Sequence, residues 1–297
     1  MFRFQREQVS FDVSGTMFGG QPGRRAPVMI GSVYYPGHSI VLDRKAGKVD
    51  IEKLEERVSR AEDCARGFQQ GHGCMAYLDH VDAVHGLLSS LSDASCGPIS
   101  IDSPDPRVKL KALEEAESMG VSSRVIYNSL HVGSPPEEWS SLVEHGVDSA
   151  VVMAFDPGDL TVKGRIYLLD NGGRLLRKGL LDTAEEFGIK RPLIDLAATS
   201  FDQSAGSALR ALTVAKAKWG LPSGMALHNT VETWSPFQEM DDEGKKLFRY
   251  VDTAAVTVAM MSGADWVMYG ALESSQRVLH AAAFTSGVMA QAVEDIW

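Results

Sequence analysis

The sequence predicts an α/β fold of the (β/α)₈ TIM-barrel class. Three observations carry the prediction: eight short apolar runs, amphipathic stretches between them, and a length of 297 residues that one such barrel fills. The runs lie at 28–34, 74–78, 98–101, 124–127, 149–155, 193–197, 224–227 and 266–269. Continuous rather than alternating apolar character marks parallel strands covered on both faces. Between the runs, sets such as Ile51, Leu54, Val58, Ala61 and Val84, Leu87, Leu88, Leu91 recur at helical spacing and put one stripe against the sheet.

The elements follow in order. Phe2 and Phe4, then Val9, Phe11 and Val13, alternate before Gly15, Gly19 and Gly20, which predicts a β-hairpin within residues 1–25 closing the bottom of the barrel. Residues 26–297 are expected to form the barrel, with an open doubly wound sheet as the alternative because closure leaves no mark in sequence; no Ser/Gly/Pro-rich linker divides the chain, so a single domain over 1–297 is expected. Two connections, 36–50 and 156–173, are longer than the rest and are expected to cover the mouth, where long βα loops meet substrate. The last helix, 273–297, carries His280, Ala281, Ala282 and Ala283 in succession; small residues permit close helix approach, and a homodimer contact is expected there.

Composition narrows the function. A net charge of −10 with no basic tract argues against a nucleic-acid partner. Three cysteines, Cys64, Cys74 and Cys96, make no disulfide framework and suit a reducing compartment. The N-terminal stretch MFRFQREQVSFDVSG lacks the apolar core of a signal peptide, and no run approaches the about 20 residues needed to span a bilayer. A cytoplasmic protein with no membrane partner is expected.

In a barrel of this kind the chemistry sits at the C-terminal ends of the strands. Four ends carry an acid or an amide: Asp102 in PISIDSP, Asn128 in RVIYNSL, Asp195 in PLIDLAAT and Asn229 in GMALHNT. Capping of the following helix explains any one of them; all four together point to a cavity. Two acids and two amides suit a flat heterocycle of mixed donors and acceptors such as a pterin. A carboxylate accepts its ring NH and exocyclic amino group as a bidentate pair, and an amide reads the neighbouring carbonyl or ring nitrogen. Asp195 is the candidate for the amino edge, with Asp102 and Asn128 on other ring positions.

The segments FDVSG, GGQPG, PISIDSP, IYNSL, PLIDLAAT, AKAKWG and HNTVETW, with the opening FxFxxEQ, resemble the H-subunit family of tetrahydromethanopterin S-methyltransferase nearly end to end. That family resembles the folate-dependent corrinoid methyltransferases and other pterin-binding barrels. The resemblance implies methyl transfer between the cobalt of a corrinoid and N5 of a tetrahydropterin, with the corrinoid carried by a partner protein. The chain looks most similar to members that use tetrahydrofolate, where the methyl group originates from a methylated amine such as methylamine or glycine betaine. Under that reading Asn229 sits at N5 as the catalytic residue, an amide able to donate or accept as the nitrogen's charge changes. Tetrahydrofolate is then the methyl acceptor, and no bound metal is expected.

Other residues receive blander readings. His228 is expected to face away from the pterin, because adjacent strand residues point to opposite faces. Ser103, Ser129 and Thr199 are secondary hydrogen-bonding candidates that turns and caps also explain. His72, Cys74 and Cys96 imitate a zinc set, but they are placed ahead of their strands at the end opposite the mouth, as a loop histidine and two buried cysteines. Lys163 and Lys178 are read as surface residues, with contact to a folate tail as the alternative, and Met260, Met261 and Trp266 are packing residues. Two other functions stay open: another pterin-barrel enzyme, and a tetrahydromethanopterin-specific component docking on a membrane complex.

Overall fold

The computed structural model describes residues 3–237 and 241–294. Phe2, which opens the predicted alternation, and residues 295–297, at the end of the predicted last helix, lie outside the described residues. Two antiparallel strands, β1 (Ser10–Val13) and β2 (Thr16–Gly19), come first. Strand β3 (Val28–Val33) follows, then the short pair β4 (Val41–Asp43) and β5 (Lys48–Val49), and helix α1 (Ile51–Gly67). The next units are β6 (His72–Tyr77) with α2 (Val84–Ala94), β7 (Ile99–Asp102) with α3 (Pro106–Ser118), and β8 (Val125–Leu130) with α4 (Pro136–Glu144). After them come β9 (Ser149–Met153) with α5 (Val162–Asn171) and α6 (Leu180–Glu186), and β10 (Arg191–Asp195) with α7 (Ala205–Trp219). The chain ends with β11 (Ser223–Met225), α8 (His228–Glu232), α9 (Asp242–Met261), β12 (Trp266–Ala271) and α10 (Ser275–Glu294).

Strands β3 and β6 to β12 pair in parallel and close into a barrel in chain order. Helix starts follow local chemistry. Asp50 caps α1 by accepting from Lys53 N, Asp105 caps α3 ahead of Pro106, and Thr161 caps α5 through Gly164 N. No helix among the described residues is long and apolar enough to cross a membrane.

The hairpin seals the N-terminal end of the barrel. Its turn places Gly15 at φ 79°, and Asp12 Oδ1 accepts from Gly15 N at 2.7 Å. Val13 and Phe18, both fully buried, join Val28, Ile126, Val151, Leu193 and Trp266 in the inner core. A buried ion pair locks this end. Lys216 Nζ on α7 donates to both oxygens of Asp265 at 2.7 Å and to Gly20 O at 3.1 Å, and Asp265 Oδ2 accepts from Ser223 N at 2.8 Å. One lysine therefore joins the hairpin exit, α7, β11 and the entrance to β12.

Several sequence expectations are corrected here. The connection 36–50 holds the β4–β5 pair, and 156–173 holds helix α5 rather than an open loop. The inward face of α5 carries Gly164 and the buried Arg165 beside Ile166, Leu168 and Leu169, which interrupts the apolar stripe that would announce a helix. His72 and Cys74 belong to β6 itself, at its N-terminal end, and Cys96 is exposed. His72 is buried against the Tyr269 hydroxyl at 2.9 Å, and burial lowers its pKa to about 4, so the ring is neutral.

Candidate active site

A cavity of about 770 Å³ opens at the C-terminal ends of the barrel strands, within the usual range for small-molecule sites. The register of the sheet sets its polar contents. Tyr77, Asp102 and Asn128 are cross-strand partners in one row on β6, β7 and β8, and Met153 pairs with Asp195 across β9 and β10. Asp102, Asn128, Asp195 and Asn229 all line this one cavity. Met75, Met153 and Met268 line it too, and their thioethers give an apolar, adaptable wall. Asn128 Nδ2 donates to the Met75 sulfur at 3.5 Å, a weak acceptor that leaves the amide available for a better partner.

Asp195 is held in place from behind. Ala197 has φ 55°, and this left-handed turn brings its N–H back to donate to Asp195 Oδ1 at 2.8 Å. Arg165 grips the same turn: Nε donates to Leu196 O at 2.8 Å, and Nη2 donates to Ala197 O at 3.4 Å and Gln203 O at 3.3 Å. Burial raises the Asp195 carboxyl to a pKa of about 6, against the opposing pull of the Ala197 N–H and Arg165. Burial likewise raises Asp102 to about 6, opposed by Lys109 and the Ser103 N–H. Two carboxyls that titrate near neutrality in one cavity mark a candidate functional site.

The remaining predicted residues divide. Ser129 and Thr199 line the cavity; Ser129 Oγ approaches Met153 Sδ at 3.9 Å, and Thr199 Oγ1 donates to Gln203 Oε1. Ser103 is buried in a turn, accepting from Asp105 N at 3.2 Å, and does not line the cavity. Asn229 is one turn beyond its strand rather than at its end, because β11 stops at Met225 and α8 begins at His228; the residue sits exposed at the rim. Lys163 lies over the Tyr167 ring and Lys178 pairs with Glu186 at 2.8 Å, both on the exposed surface.

His228 departs from expectation. It lies on the helix α8, where strand alternation does not apply, and its side chain lines the cavity beside Asn229. Nδ1 lies 2.6 Å from Asp252 and Nε2 3.0 Å from Glu232. Asp252, fully buried on α9, also accepts from Arg277 of α10. Gly270 makes room for this arrangement: a Cβ there would fall into the His228 ring, and the glycine's φ of 80° disfavours any other residue. His228, Glu232, Asp252 and Arg277 were absent from the sequence-derived site. The i, i+4 spacing of His228 and Glu232 in HNTVE was the readable signal; Asp252 and Arg277 sit on distant helices and left none.

Residues 6–297 match the family described as tetrahydromethanopterin S-methyltransferase MtrH subunit. The H subunit of the tetrahydromethanopterin S-methyltransferase of Methanothermobacter marburgensis is 33% identical over 296 residues, spanning 100% of this chain and 96% of that protein. The H subunit of a putative mtx methyltransferase of Methanosarcina mazei is 30% identical over 296 residues, with coverage of 100% and 96%. Among solved structures, dihydropteroate synthase of Xanthomonas albilineans aligns with a TM-score of 0.60 at 16% identity, covering 97% of this chain and 99% of that one. The Yersinia pestis dihydropteroate synthase aligns with a TM-score of 0.62 at 12% identity, covering 94% and 99%. At those identities the likeness is one of fold.

Proposed function

Because the chain belongs to the tetrahydromethanopterin S-methyltransferase MtrH subunit family, we propose that its cavity binds a reduced pterin and that it moves a methyl group between N5 of that pterin and a corrinoid carried by a partner protein. The observation that carries this reading is the pair of buried carboxyls, Asp102 and Asp195, converging with Asn128 on one methionine-walled cavity. A flat ring with adjacent NH and amino donors satisfies that set, and the thioethers pack its faces.

Asp195 accepts the ring NH and amino group, Asp102 and Asn128 hold the remaining polar edge, and Asn229 at the rim contacts N5. The corrinoid, when docked, supplies the cobalt that takes or gives the methyl group. The chain's own task is alignment and exclusion of water, since an in-line displacement depends on holding the reacting atoms collinear. Replacement of Asn229 by alanine is expected to lower the transfer rate by about 10- to 100-fold with little change in pterin affinity, in line with the loss of one hydrogen bond made mainly in the transition state. Single-turnover rates and equilibrium titration of the same variant separate the two, and an unaltered rate removes Asn229 from the mechanism.

Binding should also depend on pH. The ionised carboxylate is the acceptor, and Asp102 and Asp195 take up protons as pH falls through about 6. Affinity should therefore be level above pH 7 and weaken by about tenfold per unit below 6 for each carboxyl that must be ionised. Fluorescence titration of the pterin from pH 5 to 8 checks this, and a flat profile speaks against carboxylate recognition.

The names of the relatives carry tetrahydromethanopterin, so that pterin heads the proposal in place of the tetrahydrofolate expected from the sequence; both present the same pyrimidine edge to Asp195. The test is anaerobic. The purified chain is mixed with methylcob(III)alamin and either tetrahydromethanopterin or tetrahydrofolate, and the corrinoid spectrum and methylated pterin are followed together. Turnover with one pterin names the substrate. Failure with both, with free methylcob(III)alamin and with a methylated corrinoid protein alike, while either pterin is bound, overturns methyl transfer as the reaction.

A further inference from the structure

Methyl transfer at N5 needs a proton that none of the residues assigned above supplies. A neutral tertiary amine is a poor leaving group, because loss of its methyl would leave a nitrogen anion. Protonated first, it departs as a neutral secondary amine. Asn229 is an amide and no acid at neutral pH, while Asp102 and Asp195 are committed to the pyrimidine edge. Arg277 lines the cavity as well, but a guanidinium does not release its proton in a protein.

We propose that His228, ion-paired to Glu232 at the cavity wall, exchanges the proton that N5 gains as methyl leaves it and loses after methyl arrives. The proposal rests on the methyl-transfer reading given above. In one direction, the Nε2–H of His228 passes its proton to N5 and the ring becomes neutral. The N5–methyl bond then breaks with its electron pair staying on N5, and the methyl passes to the nucleophilic cobalt of the corrinoid. In the other direction, the N5 lone pair displaces methyl from cobalt, and the resulting ammonium returns its proton to Nε2.

The geometry argues for this role in three ways. Both ring nitrogens face carboxylate oxygens, Asp252 at 2.6 Å and Glu232 at 3.0 Å, and because ionised carboxylates only accept, both nitrogens must donate. The ring thus carries the spare proton an acid needs. Second, the two partners are unequal. Asp252 is fully buried and held also by Arg277, so it fixes the ring, whereas the Glu232 side chain is 56% exposed on the cavity side and leaves Nε2 as the nitrogen that can trade partners. Third, His228 directly precedes Asn229, so both side chains leave the same turn of α8 into the same cavity.

The groups facing the ring come from four elements: Glu232 on α8, Asp252 and the Phe248 ring on α9, Gly270 on β12, and Arg277 on α10 acting through Asp252. Burial disfavours the charged ring, but the bonds to Asp252 and Glu232 outweigh burial and raise the His228 pKa to about 9. The proton is therefore held at neutral pH and lost as pH rises through about 9.

The experiment uses the intact chain, 5-methyltetrahydromethanopterin or 5-methyltetrahydrofolate as donor, and cob(I)alamin as acceptor, with single-turnover rates measured from pH 6 to 10. The wild-type rate should fall as pH rises through about 9. In Glu232→Gln, which keeps the side chain's shape, the fall should move to lower pH by about one unit, because one of the two charges holding the proton is gone. His228→Gln should lose about 100-fold in rate, the range of general acid catalysis, while its pterin dissociation constant stays within about threefold of wild type. Wild-type transfer with unchanged rates and pH profiles in both variants overturns the inference and spares the methyl-transfer reading. A wild-type chain that binds either pterin and passes no methyl to cobalt, whether in free cob(I)alamin or in a reduced corrinoid protein, overturns both.

Discussion

Replacing Asp195 by alanine is expected to raise the dissociation constant of the reduced pterin by about 100- to 1,000-fold. Hydrogen bonds to a charged partner are worth about 1.5–3 kcal/mol each, and two parallel bonds to one carboxylate place the loss near 3–4 kcal/mol, at about 1.4 kcal/mol per tenfold. The surroundings support a value at the strong end. The carboxylate is buried, one oxygen is already fixed by Ala197 N, and Arg165 immobilises the turn behind it, so the acceptor has little freedom to lose when the ligand arrives. Asp195→Asn is the sharper control. It preserves the shape but turns an NH₂ toward the amino edge, and should bind about as poorly as alanine. Equilibrium fluorescence titration measures both, and a wild-type dissociation constant in either would remove Asp195 from recognition.

The largest effect on stability is expected at the other end of the barrel. Lys216→Met should cost about 3–5 kcal/mol near pH 8, the scale for removing one partner of a buried ion pair. Methionine fills much of the lysine's path, so the loss is electrostatic rather than a cavity: Asp265 is left buried with the Ser223 N–H as its remaining donor, and Gly20 O loses its contact. The sign of the pH dependence follows. Burial already raises Asp265 to about 6 despite Lys216, and without the lysine it moves further above the unfolded value. The penalty falls on the ionised form, so it is greatest at pH well above 6 and shrinks as the pH is lowered and Asp265 takes a proton. Urea denaturation of wild type and variant at pH 8 and pH 5.5 gives the comparison, and a difference below about 1 kcal/mol at pH 8 would refute the account.

How much of this was legible in the sequence depended on which physical pattern each element leaves. The barrel strands lie in short, mostly apolar runs, so the parallel βα units and the N-terminal hairpin were readable, whereas closure, made by β12 pairing with β3, leaves no local mark that excludes an open doubly wound sheet. Asp102, Asn128 and Asp195 were readable because polar side chains at the ends of buried runs have no packing reason to be there, and they do line one cavity. Helix α5 was obscured by Arg165, whose burial is explained by carbonyls of a distant turn that local sequence cannot reveal. His228 was misassigned for a related reason: β11 is only three residues long, and an alternation rule carried past its end pointed the ring the wrong way. Asp252 and Arg277 reach the site by tertiary packing of α9 and α10, and Gly270 contributes by lacking a side chain, a signal that a search for polar residues passes over.

The plugged lower end has a kinetic meaning. With Val13 and Phe18 filling the barrel beneath the cavity, its contents enter and leave by the same mouth. If a pterin occupies the cavity and a corrinoid protein rests on its rim, as proposed, the two share one doorway and are loaded in sequence. On that proposal the deep ligand is expected to arrive first and depart last, and an excess of the partner to slow its own reaction by shutting the door on an empty room.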